Sequence, residues 1–186
     1  EFGKILDNED MIEEGIKELL FRQDGKEMTM DKAINTIKIN QKYRVNGDIG
    51  KIPYDFFSSH FYLLYNRKAR EENKTYEIIE ELKKMNKDDI EKIFSSKDLR
   101  VESEDSLFEV IELLGEDYYF LFDYLEVRFL SVENMTKLIA NINNYEIPFH
   151  SLLWASLCRR LCLSCSSGSN PRQKTPIQCN DGVLQY

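Results

Sequence analysis

The chain has 186 residues, of which 42% are hydrophobic and 31% charged, and its formal net charge at pH 7 is −8. This composition is typical of a globular protein with a sizeable core, and the acidic balance argues against nucleic-acid binding, because phosphate contacts need clustered Lys and Arg. No apolar run is long enough to cross a bilayer, so no membrane association is expected. The chain does not begin with Met, and we interpret it as a fragment of a longer protein.

The N-terminal part of the chain shows helical periodicity in two short segments. Residues 8–21 begin with a good N-cap, and residues 30–43 repeat apolar side chains on one face, so a helix is predicted in each. A loop is predicted over residues 46–53, where Gly and Pro cluster. Pro53 is expected in the first turn of the helix that follows, where its missing N–H has no cost.

The segment 54–65, YDFFSSHFYLLY, is unusually aromatic and is predicted to be a helix. Phe57, Phe61 and Leu64 fall on one face at helical spacing, which is typical of core packing. The alternative interpretation is that some of the aromatic side chains line a groove for a partner helix or peptide, because aromatic residues are favoured at such contacts.

Two further helices, at 75–84 and after Asn86, precede the predicted centre of the fold. Residues 99–130 have the pattern of two helices that are joined at Gly115. The first carries an apolar stripe after a capping box of Ser106 and Glu109, and Gly115 is expected to end it. The second helix is apolar nearly all round and is therefore expected to be the buried core, with helices packed around it (Tyr118, Tyr119, Phe120, Leu121, Phe122, Tyr124 and Leu125).

The C-terminal part of the chain is predicted to hold two more helices and a tail. Ser131 caps the first, whose inward residues are expected to be Val132, Met135, Ile139 and Ile142. Pro148 opens the second, which is expected to bury Phe149, Leu152, Leu153, Trp154, Leu157 and Leu161. From Cys162 onward the composition is that of a linker or a disordered C-terminal tail. The predicted fold is therefore an all-α antiparallel helical bundle of helix pairs.

The sequence offers no catalytic constellation. His60 and His150 have no Ser, Cys or Asp partner in a known motif, and Cys162-x-x-Cys165 has zinc-ligand spacing but no second close pair. Nine carboxylates and no base lie between residues 100 and 128, which predicts a solvated acidic face. We therefore predict no catalytic residue, cofactor or metal. All four cysteines lie in the last 29 residues, which indicates a reducing compartment.

Three segments together resemble the BTB/BACK (kelch-like) family: IPYDFFSSHFY at 52–62, DDIEKIF at 88–94 and LRVESEDSLF at 99–108. The last is similar to the opening of a BACK domain, and 124–131 and 151–161 resemble later segments in divergent, protist-type members. The resemblance implies the following organisation: the C-terminal helix of a truncated BTB domain at 1–28, a three-box-like helical pair at 29–66, a BACK domain at 75–161, and a linker, tail or further domain at 162–186.

The resemblance implies a non-enzymatic, intracellular adaptor of the cytoplasm or nucleus. In such proteins the BTB domain dimerises and, with the three-box, binds the N-terminal region of a cullin, and BACK is the spacer before a substrate-binding domain. The implied partners are a cullin-type scaffold of a ubiquitin ligase, an unknown protein substrate and a second copy bound through the missing BTB part. Carried over by position, the groove-lining candidates are Phe56, Phe57, His60 and Phe61.

Three alternatives stay open at this point. The chain could be a structural BTB scaffold that forms oligomers without binding a cullin. It could be a helical-repeat binding module, although no motif recurs at a fixed period. A metal-dependent enzyme built on the acidic helices is the third, and it would require bound metal in the purified protein.

Overall fold

The computed structural model describes Met11, Glu14, Gly15 and Glu18, and residues 28–43, 47–65, 74–144, 151–162 and 170–173. Met11, Glu14, Gly15 and Glu18 are helical, in agreement with the helix predicted over 8–21. Several residues that the sequence singled out lie outside the described part: Pro148, Phe149, His150, Cys165 and Cys179.

From Met30 onward, seven α-helices and three 3₁₀ segments occur in the described residues. The helices are α1 (Met30–Tyr43), α2 (Gly47–Ser59), α3 (Lys74–Lys83), α4 (Lys87–Phe94), α5 (Glu104–Leu114), α6 (Val132–Asn144) and α7 (Ser151–Cys162). The 3₁₀ segments are Phe61–Leu63, Glu116–Tyr124 and Val127–Phe129. These described ranges hold no extended strand, and Val101 and Gln173 form an isolated parallel bridge. The all-α prediction is confirmed.

One hydrophobic cluster extends from Ala33 on α1 to Leu153 on α7. Its largest fully buried side chains are aromatic, and burial of such large apolar surfaces dominates the hydrophobic stabilisation of a core (Phe57, Phe94, Phe108 and Phe122). The cluster contains residues from both of the regions predicted as 29–66 and 75–161. The boundary between those regions therefore stays a prediction.

Helix α2 begins earlier than predicted. The residues expected to form a loop are helical from Gly47, and Pro53 lies inside the helix rather than in its first turn. Proline in a helix interior removes one backbone hydrogen bond, but the packing of α2 against α1 outweighs this local cost. The buried Asn40 side chain of α1 donates a hydrogen bond of 3.0 Å to the Gly50 carbonyl, which ties the proline-containing turns to α1.

The N-terminus of α5 is capped by a different pair from the predicted one. The Ser103 hydroxyl accepts from the Ser106 backbone N–H at 3.0 Å, and the Ser106 hydroxyl accepts from the Ser103 N–H at 3.0 Å. Ser103 is therefore the N-cap and Ser106 takes the third position of the capping box. Glu109 instead accepts a hydrogen bond from the Tyr65 hydroxyl. Gly115 ends α5 as predicted, with a positive φ of 96°.

The segment after Gly115 is a 3₁₀ helix and not the α-helix that was predicted. Residues three apart are aligned in a 3₁₀ helix, so this segment presents three columns of side chains. Two of these columns face the core. One contains the buried Tyr118 and Leu121, and the other contains the buried Tyr119 and Phe122. The third contains Phe120, which is only partly buried. The prediction that this segment is buried all round is therefore wrong for one column.

The buried faces of α6 and α7 differ from the predicted ones. On α6, Val132 and Ile139 are exposed, and Leu138 is fully buried in their place. The buried Asn134 side chain donates to Asp105 at 2.9 Å, which turns the face of residues 134, 138 and 142 toward the bundle. On α7, Leu153 is buried but Trp154 is 59% exposed, contrary to the prediction.

Candidate partner-binding surface

The C-terminal end of α2 and the 3₁₀ segment that follows it carry the four predicted groove residues as two pairs spaced four residues apart. Residues at this spacing lie on the same face of a helix, so each pair shares one face. The inner pair, Phe57 and Phe61, faces the core, and the outer pair, Phe56 and His60, is partly exposed. The predicted groove residues are therefore divided between two faces of α2.

The inner pair is part of the core. Phe57 is 0% and Phe61 2% exposed. Their rings pack edge to face with centroids 6.0 Å apart, and Phe61 packs in the same way on Phe94 of α4 at 5.3 Å. Because these rings are covered by other side chains, the prediction that Phe57 and Phe61 line a surface groove is wrong in this structure.

The outer pair forms a stacked unit at the surface. The His60 ring lies on the Phe56 ring with centroids 4.1 Å apart and an interplanar angle of 20°. His60 Nδ1 is 2.9 Å from the Phe56 carbonyl oxygen, so we assign the proton to Nδ1, which donates to that oxygen. The assigned tautomer leaves Nε2 as an acceptor. The pair thus combines an apolar ring face with a hydrogen-bonding edge whose orientation is fixed.

A buried polar cluster holds the middle of α2 against α1 and α4. Asp89 accepts hydrogen bonds from Tyr54 at 2.6 Å, from Gln41 at 2.7 Å and from Lys92 at 2.8 Å. Burial alone would raise the pKa of Asp89, but these hydrogen bonds outweigh burial and hold the pKa below its ordinary value. Burial and the hydrogen bond to Asp89 raise the pKa of Tyr54.

The end of α2 is fixed by backbone contacts as well. The buried Ser58 hydroxyl donates to the Ile93 carbonyl of α4 at 3.0 Å, and the Ser58 carbonyl accepts from the Arg100 N–H at 2.9 Å. Ser58 therefore joins α2 to α4 and to the extended residues before α5. The outer pair is presented from a helix end that is held on two sides.

The Ser-Glu-Asp run before and within the first turn of α5 is a structural junction. Ser103 caps the helix, and Asp105 accepts from the Ser131 N–H and the Asn134 amide, each at 2.9 Å. Glu104 is 1% exposed, and its carboxylate accepts from Arg172 at 2.7 and 2.6 Å. Each residue of the motif thus binds a different part of the chain.

The acidic stretch is less solvated than predicted. Glu104 is buried, Glu109 accepts from Tyr65, and Glu112 accepts from Asn141 at 2.6 Å. Glu116 and Asp117 are exposed, as the prediction requires. Within the described ranges, no group of three or more His, Cys, Asp or Glu side chains is arranged to hold a metal ion.

Two buried acids and one arginine were missed by sequence reasoning. Asp89 and Glu104 lie in first turns, where acidic residues are common, so nothing in the local pattern marks them as buried. Arg172 lies in a segment of linker composition that was predicted as tail. The Asn-Pro dipeptide at 170–171 was the one available signal, because it is typical of a turn.

Comparisons with protein-family models, with curated proteins and with solved structures find no match for this chain. None of the helices that the structure describes has the length and apolar composition of a membrane span.

Proposed function

We propose that the chain is part of a non-enzymatic protein-interaction adaptor, in which the outer pair Phe56 and His60 contacts the partner. The partner that the resemblance to the BTB/BACK family suggests is the N-terminal region of a cullin. In this proposal the bundle is the spacer between the cullin contact and a substrate-binding region.

The observation that carries the proposal is the stacked Phe56–His60 pair on a helix end that is fixed to α4. An aromatic ring that is already ordered loses little conformational entropy on binding, which favours its use as a contact residue. The stacking at 4.1 Å and the hydrogen bond from Nδ1 hold the two rings in place. Aromatic side chains are also enriched among the residues that dominate binding energy.

The test is a binding titration of a cullin N-terminal region with the full-length protein and with the Phe56→Ala, His60→Ala double variant. If the outer pair is a dominant contact, its loss costs about 2 kcal/mol or more, which is roughly thirtyfold in Kd. Circular dichroism checks that the variant is folded. The matched control is Tyr76→Ala on α3, where an aromatic side chain that is 52% exposed is removed from another helix.

Binding that is weakened in the double variant and unchanged in Tyr76→Ala supports both the function and the contact. Equal binding by all three proteins supports the adaptor but moves the contact away from α2. A full-length protein that binds no cullin supports the structural oligomeric scaffold instead.

A further inference from the structure

Residues 170–173, which we call the NPRQ turn, are bound to the first turn of α5. The Gln173 N–H donates to the Asn170 carbonyl at 3.1 Å, which closes a β-turn with Pro171 in its second position. The Asn170 side-chain oxygen accepts from the Arg172 N–H at 3.2 Å, a local bond that asparagine commonly makes in turns. The segment is thus preorganised to present the Arg172 side chain.

The groups that receive Arg172 bind one edge of its guanidinium group, through Nε and Nη2. Arg172 Nε donates to Glu104 Oε1 at 2.7 Å, and Arg172 Nη2 donates to Glu104 Oε2 at 2.6 Å. Nη2 also donates to the Tyr124 carbonyl at 2.8 Å. This is the two-pronged geometry that arginine makes with a carboxylate and lysine cannot reproduce.

The Glu104 carboxylate and the backbone of the NPRQ turn have further partners. Glu104 accepts from the Glu126 N–H at 3.0 Å and from the buried Asn170 amide at 2.7 Å. The Val101 N–H donates to the Arg172 carbonyl at 3.0 Å, beside the bridge to Gln173. The Glu104 side chain is 0% and the Arg172 side chain 18% exposed, so neither charge is compensated mainly by water. A buried carboxylate without this partner would be strongly destabilising.

We propose that the first turn of α5 is a binding site for an arginine-presenting turn, and that the NPRQ turn is its ligand within the same chain. The site and its ligand are separable: when Arg172 is replaced, a peptide of the sequence Asn-Pro-Arg-Gln supplied in excess displaces the weakened turn and binds the site. Binding of this turn fixes the chain on the bundle at residue 173.

The test uses Arg172→Ala in the full chain with the blocked peptide Asn-Pro-Arg-Gln, and the same peptide with Lys in place of Arg as its matched control. The variant is expected to melt several degrees below the original protein, and millimolar arginine peptide is expected to restore most of that loss. The lysine peptide is expected to restore less than half of it. In Glu104→Gln, Arg172→Ala the arginine peptide is expected to have no effect, because the carboxylate that it binds is absent.

Amide exchange at Val101 provides a second measurement that does not depend on a large stability change. Arg172→Lys keeps the positive charge but loses the two-pronged contact, and exchange at Val101 should accelerate about tenfold, the equivalent of one lost hydrogen bond to a charged group.

Unchanged melting and unchanged Val101 exchange in both Arg172 variants would overturn the proposal, and so would equal rescue by the two peptides. If Arg172→Ala is unfolded, recovery of its helical circular dichroism by the arginine peptide alone supports the site, and no recovery contradicts it.

Discussion

The two aromatic segments on either side of α4 show how helical period decides which rings are buried. From the C-terminal end of α2 into the 3₁₀ segment that begins at Phe61, the spacing is four, so Phe57 and Phe61 enter the core while Phe56 and His60 remain partly exposed. In the 3₁₀ helix Glu116–Tyr124 the period is three, and two of its three columns are buried. The tighter helix buries a larger share of its side chains, and the end of α2 keeps the Phe56 and His60 rings partly exposed.

Each aromatic segment is also joined to α4 by one tyrosine. Tyr54 of α2 donates to the buried Asp89, and Tyr124 at the end of the 3₁₀ helix donates to the exposed Glu91, each at 2.6 Å. The two hydrogen bonds have the same length, but water can replace only the one at Glu91. Because the two hydrogen bonds differ in the burial of the acceptor and not in length, a difference in their contributions to stability is due to burial.

The largest expected effect distinguishes inward from outward rings in both segments. Phe57→Ala and Phe122→Ala should each lower the free energy of unfolding by about 3–5 kcal/mol, because a fully buried ring leaves a cavity. Phe56→Ala and Phe120→Ala are the matched controls, since their rings are only partly buried, and they should lower it by less. Urea denaturation of the four variants measures these free energies of unfolding. An equal decrease for Phe57→Ala and Phe56→Ala, or for Phe122→Ala and Phe120→Ala, would contradict the assignment of buried and partly exposed faces.

The next effect compares the two tyrosines. Tyr54→Phe should cost about 1.5–3 kcal/mol, because the buried Asp89 loses a hydrogen bond to a charged group. Tyr124→Phe should cost about 0.5 kcal/mol, since water can replace the bond to Glu91. Thermal denaturation of both variants at neutral pH tests the difference. Equal losses would show that burial of the acceptor does not control the contribution of the hydrogen bond.

The smallest effect is a change in acid sensitivity. The pKa of Asp89 is lowered in the folded protein, so its contribution to stability is present above its unfolded pKa of about 3.9 and is lost as the pH falls through the lower folded value. Asp89→Asn removes the titrating group, so its free energy of unfolding should fall less steeply below pH 4. Parallel curves for the two proteins would contradict the role assigned to Asp89.

At alkaline pH the contribution of Tyr124 to stability is lost as the pH rises, whereas that of Asp89 is lost as the pH falls. Burial and the hydrogen bond to Glu91 raise the pKa of Tyr124 to about 12, so its contribution is complete below pH 10 and is lost as the pH rises toward 12.

Local pattern was sufficient to predict most of the helices but not the contacts between them. The α5 stripe and the Gly115 stop were predictable because each depends on residues within a few turns. The 3₁₀ helix was not, because residues 118–122 are all aromatic or Leu and so show no stripe that distinguishes a period of 3 from one of 3.6. Of the four predicted groove residues, the structure leaves Phe56 and His60 at the surface, since the sequence alone does not show which face of α2 meets Phe94.

The contact between Glu104 and Arg172 was the least predictable feature, because it joins a buried helix start to a segment with the composition of a linker. The separation of the two residues along the chain also determines when this contact can form during synthesis. The two residues are 68 positions apart, so at roughly 5–20 residues per second a ribosome delivers Arg172 about 3–14 s after Glu104. During that interval the nascent chain has a carboxylate in the first turn of α5 without its cation. The contact between Glu104 and Arg172 therefore forms only after every helix from α1 to α7 has been synthesised.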